Sequence, residues 1–360
     1  MTVIYTINLK DYSFNKNEKV NDILNIKYGI SSEIIDINYG ISSEVVDIKN
    51  ILKIAQPIDN YLHVICVISN PCNYERRNIL AKEFICRMQE EPNIILYVCE
   101  MIYEELNDDF KITDPSNCNH LQLKTLVPLW HKENMINITI KNLLPPTWKA
   151  VAWIDADIEF ESPTWALDTL KLLNGTFNAV QLFSHCADLD KFEEPMNIFQ
   201  GFGYLYANKK DMNKAGINYP HPGYGWAYTR DLYDKMGSIY DLSILGSGDA
   251  NMVFCLIANG MKSMHTNVTD GYKESLINFE KSIANNAVIG YIPGVIKHYF
   301  HGSKQNRRYV ERWGTIINNN YDPYKHVAYD LRGILVPTSL FPKQLMIDIL
   351  NYFKERNEDE

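Results

Sequence analysis

The chain has 360 residues, of which 46% are hydrophobic, 12% aromatic and 22% charged; this is the composition of a folded globular protein and excludes a disordered or fibrous one. With 44 acidic against 35 basic residues the formal charge is −9, which repels a phosphate backbone and argues against nucleic acid as a partner. No run approaches the ~20 apolar residues that span a bilayer, and the opening MTVIYTINLKDYSF lacks a basic segment followed by an apolar core, so a soluble cytoplasmic protein without a membrane span is expected, in the host cytoplasm or virion if the source is viral.

Residues 1–60 are expected to form a β-rich extension. Tyr28-Gly-Ile-Ser-Ser-Glu-Ile-Ile-Asp-Ile-Asn38 is followed at once by Tyr39-Gly-Ile-Ser-Ser-Glu-Val-Val-Asp-Ile-Lys49. Two copies are too few for a solenoid, and a pair of β-like arms with Gly-centred turns is the economical reading. From Tyr61 the pattern alternates between strand and helix, as in an α/β domain with a largely parallel sheet. Leu62–Ser69 (LHVICVIS) reads as a buried strand ending at Asn70-Pro71. Residues 75–90 have helical spacing through Ile79, Leu80, Phe84 and Met88, Ile94–Cys99 reads as a second strand ending at Glu100, and a helix is expected over about 130–143. Ala150–Ile154 (AVAWI) forms the next strand, ending in Asp155-Ala156-Asp157. Ser162-Pro163 starts a helix that stops at Asn174-Gly175, with Trp165, Leu170 and Leu173 inward. The second half, with its Tyr- and Gly-rich stretches, reads as loops and short strands, apart from a helix over Ala250–Ile257. The seven scattered cysteines form no Cys-x-x-Cys pair, so most are expected to be buried thiols.

An apolar strand ending in two carboxylates at i and i+2 sets them on one face, at the carboxyl edge where open α/β sheets bind ligands. Such a pair can hold Mn²⁺ or Mg²⁺ through oxygen while the cation's open positions take diphosphate oxygens. An Asp-x-Asp at a strand end is common without a metal. Here, however, Trp153-Ile154 precede the acids and Ile158 and Phe160 follow, and a charge at the core boundary is costly unless something offsets it.

The triplet resembles the Asp-x-Asp motif of GT-A glycosyltransferases. Further pieces follow the order found in a bacterial and large-virus group of family 2-like members: Asn70-Pro71 with Arg76-Arg77, Leu129-Trp-His-Lys-Glu-Asn134, His221-Pro-Gly-Tyr-Gly-Trp-Ala227, Gly246-Ser-Gly-Asp249, and His298-Tyr-Phe-His-Gly302 followed by Arg307-Arg308-Tyr309. The resemblance covers residues 61–325 and leaves a C-terminal helical tail, 326–360, outside it. It implies an α/β GT-A domain: a Rossmann-like nucleotide-binding half with a mixed, mostly parallel central sheet flanked by helices. It also implies transfer of a hexose from a nucleotide-sugar donor, UDP-linked, to a glycan or protein hydroxyl, with inversion.

By the same resemblance Asp157 is the principal metal ligand, Asp155 contacts the ribose, the metal or both, and His301 completes the metal site, with His298 as second choice and otherwise on the substrate side. Asp249 corresponds to the general base, although the acidic neighbour usual in the family is Gly248 here; helix capping is its plain alternative. Asn70 and Pro71 are expected beside the nucleoside, Arg76 or Arg77 near it or the diphosphate, and Glu100 near the base or ribose. Lys132 is expected on the donor, with Asn134 and Asn137 competing for an amide role; a solvated Lys–Glu helix pair is the alternative. Tyr224 and Trp226 are sugar-stacking candidates unless they are core, and Arg307, Arg308 and Tyr309 are expected to begin a helix that closes as a lid.

Two other readings make distinct demands. A metal-dependent nucleotidyltransferase calls for a Gly- and Lys-rich loop after the first strand, where this chain has Asn70-Pro-Cys-Asn-Tyr74. A non-catalytic carbohydrate-binding or structural protein on the same scaffold calls for loss of the metal ligands, yet both acids and the downstream histidine are present.

Overall fold

The computed structural model describes residues 60–106, 109–210, 212, 219–283 and 286–360, together with the backbone of three short strands nearer the N-terminus. Those strands, β1 (Tyr12–Ser13), β2 (Ile35–Tyr39) and β3 (Ser42–Val46), pair antiparallel in that order, with Ile35 opposite Val46. The rest of the eleven-residue repeats lies outside the described residues. The strands belong to one compact unit, Met1–Ile58 with Asn174–Thr176; the second comprises Asp59–Leu173 and Phe177–Glu360.

In the second unit the first elements are β4 (Leu62–Ser69), α1 (Glu75–Glu90), β5 (Ile94–Tyr103), β6 (His120–Thr125), α2 (Lys132–Leu143), β7 (Ala150–Ile154), β8 (Ile158–Phe160) and α3 (Trp165–Leu173). There follow β9 (Ala179–Gln181), β10 (His185–Leu189), β11 (Pro195–Gln200), α4 (Phe202–Ala207), β12 (Gly225–Thr229), α5 (Arg230–Met236), α6 (Gly248–Leu256) and α7 (Asp270–Ile283). The chain closes with β13 (Ile289–Tyr291), β14 (Val295–His298), α8 (Arg312–Asn318), α9 (Pro323–His326), β15 (Val327–Tyr329), β16 (Leu335–Pro337) and α10 (Lys343–Glu355).

Seven strands form the main sheet in the order β13-β9-β12-β7-β4-β5-β6, and β12 alone runs against the others. The protein is therefore α/β with a mixed, mostly parallel central sheet flanked by helices, as the sequence predicts. Strand β7 is apolar along its whole length, and β4 apart from His63 and Ser69, because both faces are covered. On one face Ile65, Tyr97, Val151 and Trp153 join Ile136 and Ile140 of α2, Met252 of α6, Tyr272 of α7 and Phe353 of α10 in one core. Each such side chain contributes roughly 1.5–3 kcal/mol by leaving water.

Strands β4 and β7 and helix α1 stand at the residues the spacing predicts, and Trp165, Leu170 and Leu173 of α3 are buried. Strand β5 runs on past Glu100 to Tyr103, and β6 follows where none was expected. The irregular second half supplies β9, β12 and β13 to the main sheet and joins β8 in a second sheet, β11-β10-β14-β8, in which β10 and β14 are parallel and the other pairs antiparallel. Residues 326–360 are not simply helical, because the hairpin β15–β16 precedes α10. Cys66, Cys99, Cys186 and Cys255 are buried thiols, while Cys86 and Cys118 are exposed. Among the described residues no helix is long and apolar enough to cross a membrane.

Candidate active site

The buried strand β7 carries the chain to Asp155 at its carboxyl end, and the backbone on either side of the acids is pinned. Asp155 N–H donates to the Tyr224 carbonyl at 2.8 Å, and the Asp157 carbonyl accepts from Tyr299 N–H at 2.8 Å. The first contact binds the triplet to the entry of β12, where Tyr224 holds a left-handed φ of +75°, a conformation costly for a tyrosine and retained where surrounding structure imposes it. The second binds it to the exit of β14, whose register sets His298 opposite Ile158.

Asp157, His298 and His301 converge, each offering a ligand atom within 4.8 Å of the others. Asp157 Oδ2 lies 2.8 Å from His301 Nε2 and 3.8 Å from His298 Nε2. Burial would raise the Asp157 carboxyl, but His298, His301 and Arg307 hold it well below the usual carboxylate range. Burial pushes His298 below its ordinary value despite Asp157 and Asp188, which favours the neutral imidazole that ligates metals. Asp157 Oδ1 and His298 Nε2 are buried with no hydrogen-bond partner among the described residues. One carboxylate oxygen and two imidazole nitrogens therefore fit a divalent cation of the Mn²⁺ kind better than Mg²⁺, which prefers oxygen throughout. Both histidines that the sequence offered as alternatives stand in the group.

Asp155 turns to a different partner. Its Oδ1 lies 2.7 Å from Lys132 Nζ, which also reaches both Asp249 oxygens at 3.3 Å. Lys132, at the first position of α2, thus bridges the triplet to the acid on α6; it is not a solvated helix residue. Burial raises the Asp155 carboxyl to about 6, with Lys132 opposing and Asp157 and Asp249 adding to the shift. Asp249 does not cap α6, since Ser247 occupies that position; it sits in the first turn, where a carboxylate suits the helix dipole. The loop before it needs glycine at 246: φ is +85°, and a Cβ would come within 2.7 Å of Arg312 Nη1.

Other expected contacts go elsewhere. Asn70 holds the start of α1, accepting from Tyr74 N–H at 2.9 Å and donating to Asn78 Oδ1 at 3.2 Å, and Pro71 is buried in the turn between. Glu100 accepts three backbone N–H bonds from residues 111–113 and organises that loop. Asn134 binds Asp241 and the backbone of Gly333 and Leu335, while Asn137 binds Asp241 and Ile239, so both amides are spent on holding α2. Trp226 is core: it is fully buried in β12 and its indole N–H donates to Pro222 O at 2.8 Å, leaving no face for a sugar. Tyr224 is buried too, with its ring stacked on His221 at 4.1 Å and against His298 at 4.8 Å; it walls the histidines and offers no sugar platform. Arg307 ends a short 3₁₀ turn, and the helix expected to begin there starts at Arg312. Its guanidinium is buried, 2.8 Å from His301 Nε2. Arg76 donates to Phe300 O at 3.0 Å, and Arg77 pairs with Glu358 and donates to Ser69 O at 3.0 Å.

Two acids at the site had no signal in the sequence. Asp188 lies in a five-residue strand and meets His298 only through the register of β10 with β14. Glu358, third from the end of the chain, is 1% exposed and reaches the site by folding back after α10.

No family model matches the chain, and no curated protein matches it. Among solved structures, the catalytic domain of Drosophila β1,4-galactosyltransferase 7 with xylobiose aligns with TM-score 0.31 and 9% identity over 56% of this chain and 63% of that one. A mutant of that enzyme with manganese, UDP-galactose and xylobiose gives TM-score 0.31 and 9% identity over 56% and 62%. The 4-diphosphocytidyl-2C-methyl-D-erythritol synthase of Anaerococcus prevotii gives TM-score 0.33 and 12% identity over 82% and 96%. The chain thus spans 63% of the galactosyltransferase domain's length. Likenesses this distant say nothing of substrate, and the functional reading rests on the geometry of the site.

Proposed function

We propose that this chain is a divalent-metal-dependent glycosyltransferase that moves a sugar from a nucleotide-sugar donor, UDP-linked in keeping with the motif resemblance, to a hydroxyl of a glycan or protein, with inversion. The observation that carries the reading is the convergence of Asp157, His298 and His301 within 4.8 Å, beside the bridge Asp155–Lys132–Asp249, at the carboxyl end of β7.

A bound divalent cation would supply charge to offset the diphosphate as it leaves. The remaining work belongs to side chains. Asp249 takes the proton from the acceptor hydroxyl while the new C1–O bond forms on the face opposite the breaking C1–O bond to diphosphate. Lys132, tied to Asp155 and Asp249 together, keeps the base in register with the donor side and adds a fixed positive charge there. The buried Arg307 adds a second cation beside Asp157.

Incubation with Mn²⁺ and a panel of nucleotide sugars, with nucleoside diphosphate release as readout, tests the proposal. Metal-dependent release from at least one donor is expected; no release from any, together with no metal-dependent nucleotide binding, would overturn it. Anomeric analysis of the product checks inversion, and a retained anomer would remove Asp249 as the base.

A further inference from the structure

We infer that Asp188 and Glu358 are positioning residues for the two site histidines, so that the last residues of the chain complete the metal site. The inference rests on the metal reading above and extends it to groups that touch neither cation nor donor.

Each imidazole turns Nε2 toward Asp157 and Nδ1 toward a buried carboxylate. His298 Nδ1 is 2.6 Å from Asp188 Oδ1, and His301 Nδ1 is 3.3 Å from Glu358 Oε2. An ionised carboxylate only accepts, so at His298, whose Nδ1 bonds to Asp188 while Nε2 has no hydrogen-bond partner among the described residues, Nδ1 carries the proton and Nε2 presents a lone pair. At His301, Nε2 lies 2.8 Å from both Asp157 Oδ2 and Arg307 Nη2, and a proton on Nδ1, facing Glu358, is the arrangement that would leave Nε2 free to bind a cation. Such outer carboxylates fix the tautomer and orientation of metal-binding histidines and raise their basicity.

The two acids are themselves held. Asp188 is the register partner of His298 across β10 and β14, and its second oxygen takes Lys304 Nζ at 2.5 Å. Glu358 is gripped by Arg77 and by Arg356 Nε, the latter at 2.5 Å. The segment around it has one path. Asp359 accepts from the backbone N–H of Arg76 and Glu75 at 2.8 and 3.1 Å, Asn357 N–H donates to Tyr74 Oη at 3.1 Å, and Asn357 O lies 2.8 Å from where a Cβ on Gly302 would stand. These contacts lock the chain end against the loop that carries His301.

The test is Mn²⁺ titration of the full chain by calorimetry, with Asp157→Asn as the control, alongside ¹⁵N NMR of the metal-free histidine tautomers. Wild type should bind Mn²⁺, Asp157→Asn should not, and Glu358→Gln and Asp188→Asn should each weaken binding about 10–100-fold while keeping the wild-type circular dichroism. Should Glu358→Gln fail to fold, Asp188→Asn, on a separate strand, carries the test. Wild-type affinity in both variants would overturn the inference and leave the metal reading standing. Absence of Mn²⁺ binding by wild type would overturn the metal reading and, with it, this one. In the metal-free protein the Nδ1–H tautomer is expected at His298; Nε2–H there would overturn the positioning role of Asp188 whatever metal binds.

Discussion

Asp157 keeps its charge against the cost of burial because His298, His301 and Arg307 surround it. Asp157→Asn keeps the shape and removes the charge. It should therefore leave the fold intact and lower Mn²⁺ affinity and diphosphate release by more than the roughly 10–100-fold that loss of an outer partner costs; calorimetry and the release assay read both. Lys132 differs, because it offsets two acids at once. Lys132→Met leaves Asp155 and Asp249, 24% and 27% exposed, facing each other without the cation. That should cost about 1–3 kcal/mol, between the values for exposed and buried pairs, as read by urea unfolding. Glu133 contributes one pH dependence. Burial, reinforced by Asp249, pushes its carboxyl from 4.5 to about 8, and neither oxygen has a hydrogen-bond partner among the described residues. The folded state then holds a proton that the unfolded chain has released, so stability falls as pH rises from 4.5 toward about 8, by on the order of a few kcal/mol. Glu133→Gln should flatten this alkaline arm, gaining stability over wild type at high pH and little at low pH. Asp157 and Glu358, both held low by neighbouring cations after burial is overcome, act in the opposite sense: what they contribute is present above the ordinary carboxylate range and lost as pH falls below it.

Among the elements, the chain end is the one whose packing bears most directly on the site. Gly302 adopts φ of +81°, and a Cβ there would meet Asn357 O at 2.8 Å and Glu358 Cα at 3.0 Å. Both contacts are to backbone, so no flexible side chain can yield. Gly302→Ala should cost roughly 1–3 kcal/mol in strain and, by displacing the segment that carries Glu358, weaken Mn²⁺ binding as Glu358→Gln does; an unchanged melting temperature and affinity would show that this contact is not made. Legibility also differs between elements. Strands β4 and β7 and helix α1 could be read from the sequence because six apolar residues in eight, five apolar residues in a row, or apolar residues at helical spacing over sixteen positions leave few alternatives. Strands β10 and β14 are five and four residues long and partly polar, too short for a period to show, and their identity as strands comes from pairing with each other and with β8 and β11.

For the whole molecule, a cation bound to the folded state and not to the unfolded chain adds stability by mass action. At about 100 times the dissociation constant Mn²⁺ should contribute about 2.7 kcal/mol, raising the melting temperature by several degrees. A chelator should reverse the gain and Asp157→Asn should abolish it. The sequence by itself determined the α/β class and the strand that ends in Asp155-Ala156-Asp157, because apolar runs are local properties of the chain, and the motif resemblance offered Lys132, Asp249, His298 and His301 as separate candidates. Only the tertiary structure decided how they combine. Lys132 bridges Asp155 to Asp249, the latter 117 positions away from the lysine in sequence; Asp188 meets His298 through strand register; Glu358 arrives from the chain end; and Trp226, Asn70 and Asn134 are withdrawn into the framework. The physical reason is that a side chain's role depends on which partners fill its hydrogen-bonding and packing capacity, and those partners come from segments distant in sequence.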